Sequence, residues 1–162
     1  MISETSISVK HQQVKLSSTY DDFIAKFESI VNHLEGDYAK NVLTEPKKVE
    51  EYLRSLEGNT GLIIFNIQNH GALLNLKGQA CKAKQYVIGN PLVAIQMTVH
   101  DIRAALYAPL RIVVYEDPDK QAIVEYDLPS SLFGQFGNEA VLEVAKGLDQ
   151  KLLNAITMAD KR

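Results

Sequence analysis

The spacing of hydrophobic residues along the chain distinguishes helical segments from extended ones. Residues 7–16 alternate between apolar and polar positions with one change of phase, which predicts a strand with a bulge or two short strands. Ser18 or Thr19 is a candidate N-cap, and the apolar residues that follow recur at helical spacing across residues 23–34. The pattern therefore predicts a helix that ends near Gly36.

Two more helices are predicted from their first turns and their apolar stripes. One begins at Pro46, where the missing proline N–H costs no hydrogen bond, and ends at Gly58. The other has Asn138 as its N-cap and keeps an apolar stripe for five turns, to Ile156.

The middle of the chain has the composition of a sheet. Short runs rich in β-branched and aromatic residues are separated by Gly, Asn, Pro and Asp, as between strands. These runs are residues 61–68, 71–76, 83–88, 110–116 and 122–127. Asn90-Pro91 predicts a short helix reaching about Val99, and Asp117-Pro118-Asp119 predicts a hairpin turn.

The order of these elements predicts the fold class. Strands and helices do not alternate strictly, which disfavours a parallel sheet. A chain of 162 residues has the usual length of one domain. We therefore expect a single α+β domain over residues 1–162, with a mainly antiparallel sheet and helices packed on one face.

Composition and charge narrow the classes of function. The net charge is −3 and the basic residues are scattered, which disfavours binding to nucleic acid. No apolar run approaches the roughly 20 residues that span a bilayer. Cys81 is the only cysteine, so no disulfide forms within the chain, and the N-terminus has no apolar run of signal-peptide length. A cytoplasmic protein without membrane or nucleic-acid partners is expected.

Histidine and cysteine spacing gives little support for catalysis. No His or Cys pair has the spacing of a metal site, so no metal ligands are predicted. The sequence identifies no general base that would activate the Cys81 thiol as a nucleophile. His100 is a candidate general base, because the adjacent Asp101 could orient its ring. The alternative is a hydrogen-bonded helix terminus with no catalytic role.

Two further segments carry weaker signals. Arg111 begins an otherwise apolar strand, so it needs a carboxylate partner or an anionic ligand if it is buried. Residues 134–137 precede a helix as a phosphate loop would, but they lack the required glycine spacing and lysine. A flexible connector flanked by the exposed or lid-like aromatics Phe133 and Phe136 is the simpler interpretation.

Four segments together resemble a known family. Residues 86–91 (YVIGNP), 100–103 (HDIR), 107–116 (YAPLRIVVYE) and 124–127 (VEYD) are similar in order and separation to the bacterial and archaeal family called domain of unknown function 302. The resemblance extends from about Val9 to the C-terminus. It implies an α+β fold similar to the TATA-binding-protein-like β-α-β-β-β-β-α arrangement, with an extra helix here, and it implies homodimers.

The family resemblance supplies no activity. Many members have cysteines just before the Asn-Pro pair and just after the proline that starts the later strand. Gly89 and Leu110 stand at those positions here, so a thiol or metal role at that pair is not expected.

Three functional hypotheses remain, and none identifies a cofactor. The leading one is a homodimer that binds a small, partly apolar or anionic ligand. Polar and aromatic residues between apolar runs would line its site, namely Tyr86, Asn90, His100, Tyr107 and Arg111. The second is an enzyme with His100 as general base, Asp101 as its orienting group and Arg111 as anion stabiliser. The third is a structural or protein-interaction module.

Overall fold

A six-stranded sheet forms the centre of the fold. The computed structural model describes residues 1–161. The strands are β1 (His11–Lys15), β2 (Asn32–His33), β3 (Ile63–Gln68), β4 (Ala83–Gly89), β5 (Leu110–Glu116) and β6 (Ala122–Asp127). They lie in the order β1-β6-β5-β4-β3-β2, and every neighbouring pair is antiparallel except the short parallel pair β2–β3. The predicted α+β class with a mainly antiparallel sheet is confirmed.

Helices of very different lengths connect the strands. They are α1 (Tyr20–Ile30), α2 (Pro46–Leu56), α3 (His70–Leu73), α4 (Pro91–Thr98), α5 (Pro129–Phe133) and α6 (Glu139–Ala159). Short 3-10 turns cover Tyr38–Asn41, Leu74–Lys77, Ile102–Leu106 and Gly134–Phe136. Within residues 1–161, no helix is long and apolar enough to cross a membrane.

One face of the sheet packs against α1 and α6 and forms the core. Alternate residues of the central strands, such as Ile112 and Val114, are buried on this face. They belong to one apolar cluster with Phe23 and Phe27 of α1 and with the inner stripe of α6. The intervening residues of β5, including Arg111, point to the opposite face of the sheet, which we call the open face.

Side-chain caps begin the helices where the sequence predicts them. Thr19, Asn90 and Asn138 each accept a hydrogen bond from a backbone N–H in the first turn of α1, α4 and α6. In the predicted hairpin, the Asp117 carboxylate accepts from the backbone N–H groups of Asp119 and Gln121. These local signals are confirmed.

Two boundaries differ from the sequence prediction because strand pairing decides them. Strand β1 starts at His11 rather than residue 7, since His11 pairs with Asp127, the last residue of β6. Helix α1 ends at Ile30, before Gly36, because residues 32–33 leave the helix and pair with β3. His33 consequently lies in a strand and not at a helix end.

Residues 71–76 were predicted to be a strand, and this prediction is wrong. They form α3 and the following 3-10 turn. Asn69 caps this segment by accepting from the Ala72 backbone N–H at 2.8 Å, and Ala and Leu are strong helix formers. The cap and the helical propensity together override the apolar run.

Candidate ligand-binding site

A small apolar cavity lies where β4, α4 and β5 meet. Its volume is about 110 Å³, and no charged residue is among its lining residues. The aromatic rings of Tyr38, Phe65 and Phe133 line it together with the aliphatic side chains of Met97, Leu110 and Leu148. Ala94, on α4, completes part of the wall. The cavity is therefore suited to an uncharged molecule or group.

Gly89 keeps one wall of the cavity open. A Cβ atom at this position would lie 3.4 Å from Pro109 Cβ and 3.7 Å from Phe65 Cε2. Any larger side chain at residue 89 would therefore reach toward the cavity. Leu110 lines the same cavity, so the two positions at which the family resemblance implies cysteines face one space, and here neither has a thiol.

Asn90 builds the cavity wall, and both ends of its side-chain amide already form hydrogen bonds within the protein. Its Oδ1 accepts from the Leu92 N–H at 2.8 Å, and its Nδ2 donates to Glu57 Oε1 at 2.8 Å and to the Gly61 carbonyl at 3.1 Å. The amide thus ties the loop after α2 to the start of α4. Buried amides that are hydrogen-bonded in this way fix the local structure.

Tyr38 is the other polar residue of the cavity lining. It is half-buried, and within residues 1–161 no protein group forms a hydrogen bond with its hydroxyl. The lining thus offers one uncommitted polar side-chain group.

A second, more polar cleft lies on the open face. Tyr107 and Arg111 line it with Val87, Leu132 and Asp127. Residues 108–110 contribute to both the cavity and this cleft. The structure therefore divides the predicted site, with Asn90 at the cavity and Tyr107 and Arg111 at the cleft.

Arg111 is exposed, which corrects the expectation that it lies on a buried strand face. It points to the open face, where water solvates the guanidinium, so no carboxylate partner is required. Within the described part of the chain its guanidinium forms no hydrogen bond or ion pair.

A polar cluster of five side chains lies on the open face beside this cleft. Glu125 Oε1 accepts from the Tyr115 hydroxyl at 2.5 Å and from Gln13 Nε2 at 2.6 Å, and its Oε2 lies 3.0 Å from His11 Nε2. The other His11 nitrogen, Nδ1, lies 2.9 Å from Asp127 Oδ1. Strand pairing brings these residues together, since His11 pairs with Asp127 and Gln13 with Glu125.

Hydrogen bonds within this polar cluster shift the pKa values of Glu125 and His11 toward their charged forms. Hydrogen bonds from Tyr115, Gln13 and His11 lower the pKa of Glu125 to about 2. Hydrogen bonds to Asp127 and Glu125 raise the pKa of His11. Both ring nitrogens of His11 are bonded to carboxylates, so neither is free to take a proton from a ligand, and His11 is placed as a structural residue and not as a general base.

Sequence reasoning did not identify this cluster. The available signal was the i, i+2 spacing of Glu125 and Asp127 on one strand and of His11 and Gln13 on another. Such spacing places each pair on one face of its strand, but only the register between β1 and β6 makes the pairs neighbours.

Tyr86 lies in the core, away from both the cavity and the cleft. Its side chain is fully buried, and its ring meets Phe27 edge-on with centroids 5.3 Å apart. Its hydroxyl donates to Glu28 Oε1 at 2.8 Å, and burial together with this bond raises the pKa of Tyr86. A ligand would have to displace core packing to reach it.

The structure pairs Asp101 with Arg103 and not with His100. The Asp101 carboxylate accepts from the Arg103 backbone N–H and from its guanidinium, with Oδ2–Nη2 at 2.7 Å. This bonding lowers the pKa of Asp101. His100 follows α4 and is exposed, and in residues 1–161 no group forms a hydrogen bond with its ring.

The aromatic residues before α6 also differ from expectation. Phe133 is fully buried in α5 and forms part of the cavity wall, so it is not an exposed lid residue. Phe136 is half-buried, with its ring 6.0 Å from that of Tyr107 and 5.1 Å from the Arg103 guanidinium carbon. Both residues are fixed by packing.

Among residues 1–161, no group of three or more His, Cys, Asp or Glu residues is placed to hold a metal ion.

Comparison with known proteins finds one matching family model and a solved structure with a similar fold. The family model described as "Domain of unknown function DUF302" matches residues 38–159. The crystal structure of an uncharacterised conserved DUF302 protein from Bacillus stearothermophilus superposes with a TM-score of 0.65 at 16% identity, covering 92% of this chain and 97% of that chain. At this identity the likeness concerns the fold alone. No curated protein matches the chain.

Proposed function

This chain belongs to the DUF302 family, and we propose that it is a homodimeric protein that binds a small, mostly apolar molecule in the cavity at the end of β4. The observation that carries the proposal is the cavity itself. Small-molecule sites are typically concave and lined mainly by apolar and aromatic side chains with a few polar groups. A space of about 110 Å³ lined by three aromatic residues and few polar groups has this character.

The lining also favours an apolar occupant over an anionic one. Apolar cavities stay dry because water finds no hydrogen-bond partners in them, and an apolar ligand can enter without displacing bound water. Arg111, the cation that would bind an anion, lines the cleft and not the cavity. The partly apolar ligand of the sequence hypothesis is thus better supported than the anionic one.

The enzyme hypothesis has less support in the geometry. It requires His100 and Arg111 to face one cavity and Asp101 to orient His100, and Asp101 bonds to Arg103 instead. His100 follows α4 and lines neither the cavity nor the cleft in the described chain. Binding without chemistry requires none of these contacts.

Replacing Ala94 with Leu is expected to abolish binding of small aromatic molecules. The three added carbon atoms would project from α4 into the cavity and fill much of it, and Leu keeps the helical propensity of this position. Titration with toluene, followed by ¹H–¹⁵N NMR, measures binding. Wild type should show saturable shifts at residues around the cavity, and Ala94→Leu should show none.

Ala140→Leu is the matched control for this test. Ala140 is exposed in the first turn of α6, so the same change there leaves the cavity open. Ala140→Leu should bind toluene as wild type does. Wild-type protein that gives no saturable shifts, or Ala94→Leu that binds as tightly as wild type, would exclude the cavity as the binding site.

An exposed apolar patch supports the homodimer. The patch consists of Ile95, Val99, Ile102 and Leu106, whose side chains are 53–76% exposed. The ionised side chains beside it, Asp101 and Arg103, are paired with each other. A second copy of the same surface therefore meets no uncompensated like charge, which suits an isologous contact.

Replacing Val99 with Glu is expected to convert the dimer to a monomer, because each copy would place a carboxylate against the other's apolar patch. Light scattering coupled to size-exclusion chromatography measures the molar mass. Leu153→Glu, on the exposed side of α6, is the control and should remain dimeric. A monomeric wild type would refute the dimer, and a dimeric Val99→Glu protein would refute this interface.

A further inference from the structure

We propose that the ligand is an uncharged, single aromatic ring with one hydrogen-bonding substituent, and that the hydroxyl of Tyr38 recognises this substituent. The inference rests on the proposed cavity function and specifies its ligand. It follows from the size of the cavity, the chemistry of its lining and the one polar group left free there.

The size of the cavity limits the ligand to about one ring. Drug-sized ligands occupy pockets of roughly 300–1,000 Å³, and this cavity has about 110 Å³. An engineered apolar cavity of about 150 Å³ binds benzene. A benzene-sized ring therefore fills this space, while its substituent lies toward the cavity mouth.

The aromatic residues in the cavity wall favour a ligand with an aromatic ring over one with a branched alkyl group. Tyr38, Phe65 and Phe133 contribute three rings to the wall. Aromatic pairs in offset or edge-to-face arrangements gain energy beyond that of area burial. An aromatic ligand has three possible partners of this kind.

The absence of charged side chains from the lining excludes an ionised ligand. The lining contains no Lys, Arg, His, Asp or Glu side chain, so an ionised group would be desolvated without a partner. The Asn90 amide is already hydrogen-bonded at both ends, to Leu92, Glu57 and Gly61. Among the lining residues, the Tyr38 hydroxyl is the remaining polar side-chain group.

The segment that carries Tyr38 is positioned by its own contacts. Tyr38 begins a 3-10 turn that Asp37 caps by accepting from the Ala39 N–H at 3.2 Å. Just before it, the Glu35 backbone exchanges two hydrogen bonds with the Tyr52 hydroxyl of α2, at 3.1 and 2.9 Å. These contacts anchor the segment that carries Tyr38 to α2, and the Tyr38 hydroxyl can donate or accept a hydrogen bond.

Phenol and toluene test the inference because they have nearly the same shape and differ by a hydroxyl in place of a methyl group. Dissociation constants are measured near neutral pH, where phenol is uncharged, by ¹H–¹⁵N NMR titration of wild type and Tyr38→Phe. Wild type should bind phenol about fivefold more tightly than toluene, which is the factor that one neutral hydrogen bond supplies. In Tyr38→Phe the preference should fall to one or below, because the phenol hydroxyl loses its hydrogen-bond partner.

Benzoate adds the charge test, and the expected result is no saturable binding. A phenol-to-toluene ratio that survives in Tyr38→Phe, or benzoate binding at the affinity of phenol, would overturn the proposed ligand class while cavity binding stands. Absence of binding by all three probes in wild type would overturn both the ligand class and the proposed function. Loss of toluene binding in Tyr38→Phe would show that Tyr38 shapes the cavity and does not read a substituent.

Discussion

Phe27→Ala should lower the free energy of unfolding by roughly 3–5 kcal/mol, the usual cost of truncating a fully buried phenylalanine. The Phe27 ring is completely buried, stacks on Phe23 with centroids 5.4 Å apart and meets Tyr86 edge-on. Truncation would leave a void between α1 and β4 and remove both ring contacts. The surrounding structure relaxes only partly around such a void.

Urea unfolding monitored by circular dichroism measures this loss. Phe136→Ala is the control, since Phe136 is only half-buried and should cost clearly less. A cost below about 1 kcal/mol would show that the core around Tyr86 is loosely packed and repacks around the void.

Local chemistry made most of the fold predictable. Thr19, Asn90 and Asn138 lie at helix starts because a short polar side chain satisfies a backbone N–H within its own turn. The hairpin at Asp117 follows the same logic. In each case the deciding contacts are a few residues apart in sequence, so the sequence contains the whole signal.

The two boundary errors occur where distant residues decide where an element begins or ends. Residues 32–33 leave α1 because β3 offers them a parallel partner about thirty residues later. Strand β1 is short because β6 ends at Asp127. No local pattern contains the length of a partner strand, and these boundaries could not be predicted from the sequence alone.

The sequence predicted only some residues of the candidate site, because contacts between distant residues decide the position of the others. Asn90 lines the cavity, and Tyr107 and Arg111 line the cleft. All three lie near the end of β4 or the start of β5, where the strands meet loops. Tyr86 alternates onto the packed face, which period-two reasoning could have indicated once the buried face was known. Tyr38 was missed, because its place at the cavity depends on the path of the chain between β2 and α2.

Gly71→Ala should destabilise the protein by about 1–3 kcal/mol, the range for forcing extra volume into a packed site. A Cβ at Gly71 would lie 2.2 Å from the Cys81 carbonyl oxygen and 2.8 Å from the Ala83 backbone N. Both atoms belong to the backbone at the start of β4, so no side-chain rotation relieves the clash. Either α3 or the beginning of β4 must move.

Gly147→Ala provides the same substitution with the opposite expected sign. Gly147 is exposed within α6, and a Cβ there meets nothing within 4 Å, so alanine should stabilise the helix by about 0.5–1 kcal/mol. Urea unfolding of the two variants isolates close backbone approach as the cause, because the chemical change is identical. If Gly71→Ala were neutral or stabilising, α3 would not be packed against β4 as described, and the helical assignment of residues 70–73 would lose its tertiary basis.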